Sequence, residues 1–150
     1  MAQGDSLQED QTLVRYVRKR SLRRDAAMQV IGVNPDAFEH RPGEDYLSAT
    51  WAEFLSSDGS ADFDASIKMF RRCLNVSKTD GYVFGQVGSI KSACLSFSAS
   101  IRVIHEPDGL NTAHVALRRI PKDNAALRAR LAAVEWSGLL IDSDYPRTSE

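Results

Sequence analysis

Apolar and polar residues alternate in some stretches of this chain and recur every three or four positions in others, and these two periods separate strands from helices. The first patterned stretch is "TLVRYV", from Thr12 to Val17. Leu13, Tyr16 and Val17 fit a helical stripe, but the β-branched and aromatic content favours a strand. Leu22 to Val33 begins with good helix formers and is expected to be helical at its start. The breakers Asn34-Pro35, Arg41-Pro42 and Pro42-Gly43 mark a loop. In "YLSATWAEFL", Tyr46, Leu47, Trp51, Phe54 and Leu55 recur at helical spacing, which predicts a helix capped by Asp45 or Ser48, with Glu53 in an early turn.

A clearer helix covers "DFDASIKMFRRCLNV". Phe63, Ile67, Phe70 and Leu74 form its stripe, with acids at the start and Arg71 and Arg72 near the end, as the helix dipole favours. "GYVFGQVGS" reads as a strand, and "SIKSACLSFS" as a short helix with Ile90, Cys94 and either Leu95 or Phe97 inward. "SIRVI" and "AHVALRRI" are strands, the second ended by Pro121. "KDNAALRARLAAVEWSGLL" is the strongest helical pattern, capped by Asp123 or Asn124, with Leu127, Leu131, Val134 and Leu139 on its apolar face. The order β, α, α, α, β, α, β, β, α predicts an α+β fold, a small and mostly antiparallel sheet with helices packed on one face. Residues 12–141 form the expected domain, between a disordered lead-in at 1–11 and a flexible tail at 142–150.

The totals change this picture little. The chain has 150 residues, enough for one core without staples. No apolar run approaches the ~20 residues that span a bilayer, and the polar N-terminus has no apolar stretch of a secretory signal. Cys73 and Cys94 lie in apolar-periodic segments, which favours two reduced, buried thiols and a cytoplasmic location. Neither belongs to a metal-binding spacing, so no metal and no cofactor is expected. The net charge of −1 favours no class of partner, but its distribution is uneven. Arg15, Arg18, Lys19, Arg20, Arg23 and Arg24 form a basic opening, and Asp25 to Asp64 holds nine acids against the single cation Arg41. The basic run is a candidate nucleic-acid surface, although strand alternation would divide it between faces, and solvated surface is the favoured reading.

Candidate chemistry concentrates in "IRVIHEPDGLNTAHVALRRI". His105 and His114 flank a bend whose Pro107, Asp108 and Gly109 are turn formers. A hairpin there would bring the two imidazoles together, with Glu106 or Asp108 to orient one of them and Asn111 nearby, in an acid–base site. The spacing matches no zinc signature. A second polar group, Arg41, Glu44, Ser48 and Glu53, has the residue types of an anion or ribose site. Against it stands a plain structural role, in which Arg41 pairs locally and Ser48 caps a helix.

The blocks "RPGEDYLSATWAE" and "HEPDGLNTAHV" resemble a family of short uncharacterised bacterial proteins that share R-P-x-E-x-Y-L-S-x-x-W-x-E and H-E-P-D-x-x-N-x-A-H-V, a likeness running roughly from Leu13 to Trp136. The resemblance implies a bacterial intracellular protein, from a multi-gene cassette such as a defence or toxin–antitoxin locus. It marks Arg41, Glu44, Ser48, Glu53, His105, Glu106, Asp108, Asn111 and His114 as motif positions and gives none of them a role. No complete catalytic constellation is visible in the chain and its length suits an adaptor, so the leading expectation is an accessory or regulatory protein acting through a protein partner from the same operon. The alternatives are a histidine-dependent enzyme on a phosphate-bearing substrate and a nucleic-acid binder.

Overall fold

The computed structural model describes residues 4–136 and 138–145, without the side chains of residues 134 and 135. Six strands form one antiparallel sheet: β1 (Thr12–Val17), β4 (Tyr46–Trp51), β5 (Gly81–Gln86), β6 (Arg102–His105), β7 (His114–Arg118) and β8 (Gly138–Ile141), in the spatial order β6-β7-β4-β1-β5-β8. A separate two-stranded ribbon pairs β2 (Leu22–Arg24) with β3 (Val30–Val33). The helices are α1 (Phe63–Cys73), α2 (Val87–Ser96) and α3 (Ala125–Arg130), the last continued by a wider turn at Leu131–Glu135. The fold is α+β with an antiparallel main sheet.

The helices do not share one face. Odd-numbered side chains of β1, including Leu13 and Val17, join Val83, Leu47, Val115, Ile90, Cys94, Leu127 and Leu131 in the larger core. Even-numbered Val14 packs with Tyr82, Ile67 and Phe70 in the smaller one. Strand alternation sends these two sets to opposite sides. Thus α2 and α3 cover one side, and α1 covers the β1/β5/β8 half of the other. The expected one-sided arrangement is corrected because α1 follows β4 and carries its own apolar stripe.

Three segments depart from the predicted elements. Tyr46 to Trp51 is a strand, and only Glu53–Leu55 makes a short 3-10 turn. Its residues satisfy both periods: Leu47, Ala49 and Trp51 are buried on one side, with Tyr46, Ser48 and Thr50 on the other. Pairing with β7 over five residues decides for the strand. Leu22 to Val33 is a ribbon rather than a helix. Asp25 closes its turn by accepting from the backbone N–H groups of Ala27 and Gln29 through Oδ1, and Met28 takes a left-handed φ of 65°. The C-terminal helix stops before Trp136, whose fully buried ring packs against Phe38 with centroids 5.8 Å apart. The segment then re-enters the sheet as β8, placing Leu139 against the larger core from a strand. Gly138 is required at that entry, because a Cβ there would lie 2.6 Å from the Phe84 ring. The side chain of Val134, assigned to the helix stripe, is outside the described residues.

Other expectations meet the structure directly. Asp62 and Asn124 cap α1 and α3, accepting from the N–H groups of Ala65 and Leu127 at 2.9 and 3.0 Å. Phe97, not exposed Leu95, packs inward from the end of α2. Neither cysteine forms a disulfide; Cys94 is buried and Cys73 half-buried. Residues 4–7 run along β6, with Leu7 buried and its N–H donated to the Val103 carbonyl at 2.9 Å. Asp142 is fully buried and accepts from Arg71 Nε at 2.9 Å and from the Tyr82 hydroxyl at 2.5 Å, fastening the segment through Tyr145. Residues 146–150 of the expected tail lie outside the described residues. No helix among the described residues is long and apolar enough to cross a membrane.

Candidate active site

The site is built where the sheet opens. β1 pairs with β4 only at Leu13–Trp51 and Val14–Thr50. Beyond that pair Arg15 takes the place of the ladder. Its guanidinium donates to the Ser48 carbonyl at 2.6 Å and to the Ala37 carbonyl at 2.9 and 3.2 Å. Burial lowers the pKa of this group to about 10, with the positive charge of Arg41 adding to the shift and Glu44 opposing it. The guanidinium still keeps its proton at neutral pH, so a fixed cation sits directly behind Ser48.

On the side of the sheet that α1 only half covers lies a cavity of about 190 Å³. Ser48 and Tyr46 reach it from β4, and His114 from β7. Phe70, Cys73 and Leu74 at the end of α1 form an apolar wall, and Arg41, Glu44, Asp108 and Asn111 arrive from loops. Thr50 and His114 are register partners, which sets Ser48 two residues along β4 on the same side.

The geometry at His114 fixes its tautomer. Nδ1 lies 2.8 Å from the Glu106 backbone carbonyl, which can only accept, so Nδ1 carries the proton. Nε2 is then an acceptor, and the Ser48 hydroxyl donates to it across 3.0 Å. The Tyr46 ring meets the imidazole edge-on at a centroid distance of 6.1 Å and limits its rotation. Serine, imidazole and an orienting acceptor thus stand in an order that can activate a hydroxyl as a nucleophile.

The carboxylates expected to orient an imidazole do other work. Glu106 makes a two-pronged pair with Arg118, at 2.6 and 2.7 Å, and its backbone rather than its side chain holds His114. The hydrogen bonds from Arg118 lower the Glu106 pKa, partly opposed by burial. Arg118 also reaches Asp45 at 3.0 Å and lies over the Tyr46 ring, with Cζ 4.8 Å from its centroid. Asp108 Oδ1 accepts from the N–H groups of Leu110 and Asn111 at 3.0 and 2.7 Å and shapes the bend. Buried Asn111 donates to Thr50 Oγ1 at 2.9 Å and accepts from the Ala113 N–H at 2.9 Å, fixing the loop to β4.

His105 is not part of this cavity. It pairs with Val115, one position out of step with His114, so the two imidazoles point to opposite sides of the sheet. Only 3% of His105 is exposed. Its ring packs against Trp51 and Phe54 with centroids at 5.3 and 4.7 Å. Nε2–H donates to the Thr112 carbonyl at 2.8 Å, and Nδ1 is buried without a partner among the described residues. The anticipated shared histidine pocket does not exist, because the hairpin pairs the residues out of register.

Of the second polar group, Arg41, Glu44 and Ser48 line the cavity, but Ser48 caps no helix. Glu53 lies apart, accepting from the Thr12 N–H at 2.8 Å through Oε1. Among the described residues the Arg41 side chain has neither a hydrogen bond nor an ion pair, so it does not pair locally with Glu44. The basic run is divided. Arg15 is interior, Arg24 donates to the Met28 carbonyl at 2.8 Å, and Arg18, Lys19, Arg20 and Arg23 are exposed. Among the described residues no group of three or more His, Cys, Asp or Glu is placed to hold a metal ion.

The Ser48–His114 pair was missed in the sequence because the two residues are 66 positions apart and meet only through the β4/β7 register. Comparison with known proteins returns no matching family model, no matching curated sequence and no matching solved structure.

Proposed function

We propose that the protein is an enzyme in which Ser48 is the nucleophile and His114 its general base, acting on a small phosphate ester bound in the cavity. One observation carries the reading: the Ser48 hydroxyl donates to His114 Nε2 at 3.0 Å while the Glu106 carbonyl holds the proton on Nδ1 at 2.8 Å. Arg41 at the rim and Arg15 behind the serine supply positive charge for an anionic group and for charge developing on its oxygens. Phe70 and Leu74 suit an apolar leaving group. In the first step the Ser48 oxygen forms a bond to phosphorus and its proton passes to His114. The bond from phosphorus to the ester oxygen breaks, and His114 returns the proton to the departing alkoxide. Water then hydrolyses the phosphoserine by the same route in reverse.

A fluorophosphonate probe tests this, since it transfers phosphorus to an activated serine with loss of fluoride. The expected result is one adduct, mapped to Ser48 by mass spectrometry and absent from Ser48→Ala. Slow labelling spread over several serines, unchanged by removal of His114, would defeat the proposal.

An accessory protein acting through a protein partner is the second reading. Exposed Met28 and Ile31 on the β2–β3 ribbon, 66% and 54% accessible, favour it. On that reading, pull-down with gene neighbours recovers a stoichiometric partner that Met28→Ser/Ile31→Ser loses.

A further inference from the structure

A second cleft, of about 360 Å³, lies between the 39–44 loop and the approach to α3. Glu39, His40, Arg41, Lys122, Asp123 and Arg128 line it. Three cations therefore converge there. Among the described residues neither the Arg41 nor the Lys122 side chain has a hydrogen bond or an ion pair, and Arg128 donates only to the Lys122 carbonyl, at 2.6 Å. The nearby carboxylates of Glu39, Glu44 and Asp123 are not paired with them. Three carboxylates line the cleft beside the three cations, but no ion pair joins the two sets, so the donors of Arg41, Lys122 and Arg128 stay open to an anion placed among them.

The state of His40 agrees with that field. Its Nε2 is buried without a partner among the described residues, which offer a proton there no acceptor. Burial is the main cause that holds the imidazole pKa below its ordinary value, followed by the charges of Lys122, Arg15 and Arg128, with Asp45 opposing.

We propose that this cleft is an anion site that takes a phosphate group of a small ligand against Lys122, Arg128 and Arg41. Arg41 also lines the Ser48–His114 cavity, so the two sites share one cation and a bound phosphate lies beside the first site. The proposal is independent of the chemistry assigned to Ser48. An anion among these cations cancels the charges that disfavour protonated His40, so binding near neutral pH draws a proton onto the imidazole.

Inorganic pyrophosphate is the probe, titrated calorimetrically into the full chain in two buffers of different ionisation enthalpy. The expected result is binding with net proton uptake, weakened at least about tenfold in Lys122→Ala/Arg128→Ala, as loss of charge-assisted contacts implies. Thermal melting checks that this variant is folded. His40→Asn is expected to bind while losing the uptake, and Ser48→Ala to bind as the parent does, which separates this site from the nucleophile. Absence of binding to the intact protein in the millimolar range, or equal binding by the parent and the double variant, would overturn the site. Uptake that persists in His40→Asn would overturn the part given to the imidazole.

Discussion

His105 and His114 come from adjacent strands of one hairpin and differ in almost every physical respect. His105 lies on the side packed by the larger core, its ring against Trp51 and Phe54, with one nitrogen bonded to the Thr112 carbonyl and the other enclosed without a partner among the described residues. His114 lies on the side that α1 leaves half open, with both nitrogens engaged and a serine hydroxyl on the one facing the cavity. A single step along a strand separates a packing histidine from one in position to move a proton. Residue type is therefore a poor guide to role here; the side of the sheet and the covering of that side determine it.

The largest expected effect falls on the reactive member of the pair. His114→Ala should slow fluorophosphonate labelling of Ser48 by about 100-fold or more, the usual contribution of a general base. Its thermal midpoint should stay close to that of the parent. A variant that labels normally would make the two histidines equivalent and end the contrast.

His105→Ala should show the opposite pattern. Removing a ring packed by two aromatics leaves a cavity, with an expected loss of about 2–4 kcal/mol in urea unfolding. The folded fraction should still label at Ser48. Loss of labelling with stability preserved would place His105 in the chemistry after all.

A smaller effect is expected at the Glu106–Arg118 pair, which holds the strand end whose carbonyl orients His114. Glu106→Gln should cost about 1 kcal/mol or less, since the pair is partly exposed. It should also reduce labelling a few-fold through a looser Nδ1 contact. The folded Glu106 carboxyl has a pKa below its unfolded value. Its contribution to stability is therefore complete above the ordinary glutamate range, near about 4.3, and is lost as pH falls through the lower folded value. Acid titration should show that loss in the parent and not in Glu106→Gln.

The smallest effect is expected at the bend. Leu110 is 72% exposed and makes no part of either core. Leu110→Ser should change stability by less than about 0.5 kcal/mol and leave labelling unaltered. A drop in labelling would extend the substrate contact to the bend.

Elements with a single consistent period were readable from the chain: α1, with its acidic start and basic end, and β5, β6 and β7. Turn chemistry at Pro107-Asp108-Gly109 marked the bend, and the candidate polar residues of the two blocks make up half of the cavity lining. Where two periods coincided, the local pattern misled. Tyr46 to Trp51 has apolar residues at helical spacing, yet its neighbours on both sides are strands whose unpaired backbone groups it satisfies. The same holds after Trp136, where a good helical pattern gives way to pairing with β5.

What the chain determined by itself was its α+β class, the helices α1 and α2, the Asn124 cap of α3 and the residue types available for chemistry, because these follow from side-chain period, backbone preference and short-range hydrogen bonds. Only the tertiary structure decided that Ser48 meets His114 and that His105 does not. Register between distant strands sets which side of a sheet a residue occupies, a shift of one position reverses it, and no local pattern encodes that long-range pairing.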